Sequence, residues 1–110
     1  MVAVGGMPRL FAISDLHVRQ AANRRFVEEI PAQKDDWLIL GGDLGESATD
    51  LRFVFDTLGP RFARLIWVPG NHELWTVEDG GLRGEERYQS LVDVCRSYGV
   101  LTPEDPYETF

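Results

Sequence analysis

Short apolar runs alternate along this chain with longer stretches whose apolar residues recur at helical spacing. Leu10-Phe11-Ala12-Ile13, Trp37-Leu38-Ile39-Leu40 and Ala63-Arg64-Leu65-Ile66-Trp67-Val68 are each bounded by polar or glycine-bearing segments, which predicts three buried strands. Between the first two, Ala22, Phe26, Val27 and Ile30 share one face of a segment that Pro31 stops, which predicts a helix. Leu51, Val54, Phe55 and Leu58 stripe a second helix from Ser47 to Leu58. Ser47 with Asp50 has the form of a capping box there, and Gly59-Pro60 ends the run. A third helix, Glu85 to Tyr98, carries Tyr88, Leu91, Val92 and Cys95 on one side and stops at Gly99. The polar stretch Thr76 to Gly84 reads as a loop, Val100-Leu101 as the start of a fourth strand, and Thr102 to Tyr107 as turns.

Strand, helix, strand, helix, strand is the pattern of an α/β fold with a largely parallel sheet and crossover helices. Right-handed crossovers bring the carboxyl ends of the strands to one edge, and ligands bind outside that edge. Each predicted strand runs directly into a polar string: Asp15-Leu16-His17, Gly42-Asp43 and Gly70-Asn71-His72-Glu73. Strings far apart in sequence should therefore converge at the strand carboxyl ends.

Composition narrows the chemistry. With 110 residues, 44 % of them hydrophobic, the chain amounts to one domain with an ordinary core. A net charge of −7 and a pI near 4.7 leave no basic stripe for a nucleic-acid backbone, although bound metal ions could still invert the local field for a phosphorylated substrate. The single Cys95 excludes an internal disulfide framework and points to a reducing cytoplasm. Met1 to Arg9 lacks the pattern of a signal peptide, and no apolar run nears the roughly 20 residues that span a bilayer.

The three strings hold carboxylates, imidazoles and an amide. Asp15 and His17, one residue apart, point to the same side if the segment is extended. An oxygen and a nitrogen donor together suit Mn²⁺, Fe or Zn²⁺ better than Ca²⁺. Asp43 could bridge two cations, Asn71 offers a neutral carbonyl oxygen, and Gly70 lets the backbone come close. Two metals about 3.5–4 Å apart can hold a hydroxide and clamp a phosphoryl group for in-line attack.

In order and in context, these strings resemble the first three signature blocks of the calcineurin-like metallophosphoesterases. The resemblance implies the N-terminal half of an α/β/β/α sandwich and a phosphoesterase acting on phosphomonoesters or phosphodiesters with two divalent metal ions. By that resemblance Asp15 and His17 bind the first metal, Asp43 bridges, and Asn71 binds the second. His72 protonates the leaving alkoxide, a role suited to imidazole near neutral pH. Glu46, three residues after the bridging Asp43, stands where the family usually has Asp. It could fix the tautomer of His72 or be a surface or helix-terminal charge.

The family completes its site with a later Gly-His and a Gly-His-x-His block, whereas this chain has two histidines, His17 and His72. Residues 1–110 are therefore expected to be one incomplete domain whose C-terminal half, with a second sheet, completes the full-length protein. The alternative is a non-catalytic, truncated or degenerate module that binds one weak metal or a protein partner. A Rossmann-type nucleotide domain is disfavoured because no glycine-rich phosphate loop follows the first strand. Trp37, Trp67 and Trp75 read as core or pocket wall, Cys95 as core, and Arg24-Arg25 as a solvated helix face. Arg83 is a candidate contact for substrate phosphate.

Overall fold

The computed structural model describes residues 8–45, 47–70 and 84–106. The elements run β1 (Leu10–Ile13), α1 (Ala21–Glu29), β2 (Gln33–Leu40), α2 (Ala48–Leu58), a 3₁₀ turn (Gly59–Arg61), β3 (Phe62–Trp67) and α3 (Gly84–Ser97). The first three strands and the three helices expected from the apolar pattern are present, while the expected fourth strand is a single bridge at Leu101. β2 begins four residues before the apolar run, at Gln33, and its pairing with β3 is irregular between Gln33 and Trp37. These added residues are all polar, Lys34 and Asp35 facing solvent and Asp36 buried against Arg9, so hydrophobic periodicity could not reveal them.

The sheet is parallel, in the order β1-β2-β3, and Leu101 extends it with a parallel bridge to Ile66. The Leu101 N–H donates to the Leu65 carbonyl and its own carbonyl accepts from Trp67 N–H, at 3.0 and 2.8 Å. Strand order follows chain order without reversal, so crossovers of one hand place all the helices on one face. α2 accordingly packs between α1 and α3. Register puts Phe11, Leu38 and Leu65 in one row and Ile13, Leu40 and Trp67 in the next, both facing the helices. Leu51, Val54, Phe55 and Leu58 of α2 and Leu91, Val92 and Cys95 of α3 close this core from above.

The opposite face carries the rows Leu10–Trp37–Arg64 and Ala12–Ile39–Ile66. Its apolar side chains stay partly in water, with Leu10 at 49 % and Val68 at 42 % exposure. A groove of about 440 Å³ runs along it, lined by Trp37, Ile66, Val68, Leu101, Pro103 and Pro106 among others. Among the described residues, a parallel sheet with helices on one side matches the half-sandwich that the family resemblance implied.

α1 departs from its expected stripe. Val27 is its buried residue, while Ala22 and Phe26 face solvent. Arg24 is not simply solvated, because its guanidinium lies 4.3 Å from the Phe53 ring centroid and covers α2. Arg61 donates to the carbonyls of Glu28 and Ile30, each at 2.7 Å, so the turn before β3 satisfies the C-terminal end of α1. At the same amino-terminal end of the sheet, the Arg9 backbone N–H and guanidinium both donate to Asp36 and hold its carboxyl below the usual aspartate range. Tyr88 of α3 stacks on Trp67 and donates to Glu104, and burial together with that bond pushes its hydroxyl up to about 12.

α3 ends where the sequence predicts, in a Schellman motif. Val100 N–H donates to the Cys95 carbonyl and Gly99 N–H to that of Arg96, with Gly99 at φ +70°. A Cβ on Gly99 would meet no atom within 4 Å, so the cost of a side chain there is purely conformational. Gly99→Ala should therefore lower stability by about 1 kcal/mol, and Gly99→Asn by less, in equilibrium denaturation. Equal stability of Gly99→Ala and the parent would refute the left-handed cap.

Candidate metal centre

The loops that leave β1 and β2 are sewn together beyond the ends of the strands. Gly41 N–H donates to the Ile13 carbonyl at 2.7 Å, Asp15 N–H to Gly42 at 3.0 Å, His17 N–H to Asp43 at 3.1 Å and Val18 N–H to Leu44 at 2.8 Å. Val68 N–H donates to the Leu40 carbonyl at 3.0 Å and ties the β3 exit to the same place. The first two polar strings and the exit of β3 thus occupy one sheet edge, as the crossover argument requires.

Among the described residues, the non-glycine residues with positive φ are Asp15 at 57°, His17 at 44° and Asp43 at 52°. Left-handed backbone costs an L-residue roughly 1–2 kcal/mol, and Asp and His are among the side chains that tolerate it best. Such conformations persist where surrounding structure enforces them, and they cluster at functional sites. Here the strained positions are the ones singled out as ligands.

The strain changes the reason why Asp15 and His17 meet. The segment is not extended, so simple strand alternation does not apply. Each residue turns on a left-handed backbone, which sends Leu16 and Val18 into the core and leaves the flanking polar side chains at the edge. His17 Nε2 then lies 3.6 Å from Asp15 Oδ1, with side-chain exposures of 36 % and 62 %. Asn23 of α1 donates to the His17 carbonyl at 3.2 Å and steadies the loop from the helix side.

Asp43 is fixed from the other direction. A Cβ built on Gly70 would overlap the Asp43 carboxylate, so glycine at this position permits contact between the second and third strings. Gly42 serves the same approach. It sits at φ +89°, and a Cβ there would come within 2.9 Å of Gly70 N.

The donors fit part of a divalent coordination sphere, since a carboxylate and an imidazole side by side suit Mn, Fe or Zn. The described residues do not complete one. Among them, no group of three or more His, Cys, Asp and Glu side chains is placed to hold an ion. Asp15 and His17 form a pair, and Asp43 stands on the adjacent loop against Gly70. Asn71, His72 and Glu46 lie outside the described residues, as do Trp75 and Arg83.

Sequence reasoning missed one feature of this edge. Arg19 Nε lies 3.2 Å from Asp50 Oδ2, linking the β1 loop to the first turn of α2. Asp50 was legible only as a capping residue, and the reciprocal box with Ser47 is indeed formed. An arginine two residues after His17 carries no mark that separates it from surface charge.

The family model of calcineurin-like phosphoesterases matches residues 8–105. The [acyl-carrier-protein] phosphodiesterase PptH of Mycobacterium tuberculosis is 47 % identical over 107 residues, which is 94 % of this chain and 33 % of that protein. The crystal structure of the phosphopantetheinyl hydrolase PptH from Mycobacterium tuberculosis superposes with a TM-score of 0.87 at 45 % identity, covering 97 % of this chain and 39 % of that one. The chain thus spans about a third of the length of its curated relative.

Proposed function

The chain belongs to the calcineurin-like phosphoesterase family, and from that premise we propose that it forms the first part of a metal-dependent phosphodiesterase that hydrolyses the ester joining a phosphopantetheinyl group to acyl carrier protein. The observation that carries the reading is the set of left-handed backbones at Asp15, His17 and Asp43, held at one edge beside Gly70. The likeness to PptH across nearly the whole chain supplies the substrate class.

On this reading Asp15 and His17 would hold one divalent ion and Asn71 a second, with Asp43 as a donor to both. Bound there, the ions would supply Lewis-acid stabilisation of phosphoryl charge and activation of water. His72 gives a proton to the oxygen that leaves phosphorus as the ester bond breaks, and Glu46 holds the imidazole in the tautomer that can do so. Residues 1–110 are read as one incomplete domain. The remaining donors are expected in the part of the relative's length that this chain does not span. A cytoplasmic setting suits such a substrate, and among the described residues no helix is long and apolar enough to cross a membrane.

The test is to incubate the intact protein with phosphopantetheinylated acyl carrier protein and follow the carrier by intact mass. Loss of the phosphopantetheine mass with Mn²⁺, and its retention with chelator, is the expected result. A carrier left unchanged, with a chromogenic phosphodiester also uncleaved, would sink the enzymatic reading and favour a non-catalytic module.

A further inference from the structure

We infer that Arg19 and Asp50 are a positioning pair that locks the β1 loop against the β2 loop and so sets the spacing of the metal donors on either side. The inference rests on the metal-site reading above. Asp15 and His17 sit on one loop and Asp43 on the next, and each has a left-handed backbone that relaxes unless neighbouring structure holds it. Among the described residues, two groups of contacts that cross between these loops bear on their spacing. One is the backbone ladder, which ends at Val18 N–H to the Leu44 carbonyl. The other lies just beyond that last rung, where Arg19 Nε meets Asp50 Oδ2 at 3.2 Å.

Asp50 is well placed to serve as the anchor. Its side chain is only 9 % exposed. The same oxygen that meets Arg19 accepts from Ser47 N–H at 3.3 Å, while Asp50 N–H donates to Ser47 Oγ at 3.2 Å. The carboxylate is therefore fixed to the start of α2 before Arg19 reaches it. Gly45 presses on it from the loop side, so closely that a Cβ there would overlap the Asp50 side chain. The segment from Asp43 to Ser47 is thus clamped at its distal end by Asp50, and Arg19 carries that clamp across to the His17 loop. Removing Arg19 leaves the backbone rungs intact but frees the His17 loop to shift relative to Asp43. Partners that orient metal ligands from behind typically change metal affinity by about 10–100-fold.

The pair makes a prediction that a merely stabilising role does not. Arg19 is 40 % exposed, and exposed ion pairs contribute little to folding. In the intact protein, Arg19→Ala should raise the Mn²⁺ dissociation constant about tenfold by equilibrium dialysis. Its melting temperature in chelator should stay at the parent value. Arg19→Lys, which keeps the charge, should recover most of the affinity. Asp50→Asn, which keeps that oxygen for Ser47 N–H and Arg19 but loses the charge that draws the guanidinium, should weaken Mn²⁺ measurably but less than Arg19→Ala. An unchanged dissociation constant in both Arg19→Ala and Asp50→Asn, with Asp43→Asn weakened in parallel, would overturn the positioning role and leave the metal site standing. If Asp43→Asn also binds Mn²⁺ as the parent does, the metal-site reading itself fails, and the pair falls with it.

Discussion

Asp43→Asn in the intact protein should lower turnover about 10²–10³-fold at fixed Mn²⁺, with little change in the melting temperature of the chelated protein. The substitution is chosen for what it keeps. Asparagine has nearly the same shape as aspartate, so the contact with Gly70 survives. It is also among the few residues that accept left-handed backbone readily, so φ of 52° at this position adds no new strain. The His17 N–H bond to the residue-43 carbonyl is a main-chain bond and is unaffected. What disappears is the negative charge and one anionic oxygen, the two properties that let a single side chain face two cations. Metal-dependent activity assayed over a Mn²⁺ titration separates the causes. A lost donor shifts the whole curve and lowers its plateau, whereas damage to folding would show first in the chelated melt. Turnover within about threefold of the parent would mean that Asp43 does not bridge.

The fold was legible because its strands are short and apolar and its helices carry clear stripes. α2 is the plainest case, since Leu51, Val54, Phe55 and Leu58 are all buried and the Ser47–Asp50 box closes its start. α1 was misjudged in detail because a stripe predicts one face and not which edge of it tertiary packing will cover. α2 covers Val27 and leaves Phe26 in water. At the site, the ligand strings were visible and their convergence followed from topology. The means of convergence was not visible. Nothing in Asp-Leu-His announces two left-handed residues, because Asp and His also occupy ordinary backbone. Long-range pairs such as Arg19 with Asp50 have no local periodicity to betray them. Sequence thus gave residue types at the site, while the geometry that makes them a site had to come from the folded chain.

Gly70→Ala is the complementary test, because it leaves every proposed donor in place and disturbs only the space between them. Gly70 is not in the left-handed region, so its value here is steric and not conformational. A methyl group there would fall on the Asp43 carboxylate and beside the Asp43 backbone, and a backbone cannot yield as a flexible side-chain end can. Overfilling a close-packed contact costs about 1–3 kcal/mol, and the only relief is to part the second and third loops. Parting them moves Asp43 away from Gly70, so on the proposed site Mn²⁺ affinity and turnover should both fall even where the variant remains folded. Gly59→Ala supplies the control. Gly59 has no atom within 4 Å of a built Cβ beyond its chain neighbours, but it is helical directly before Pro60, whose ring crowds a Cβ there, so the same substitution should cost some stability while leaving Mn²⁺ affinity at the parent value. Denaturation and Mn²⁺ dialysis of the two variants side by side then isolate the contact. If Gly70→Ala behaves like Gly59→Ala in both measurements, Asp43 is not wedged against the third loop. The strained aspartate would then need another cause than the closeness of its neighbours.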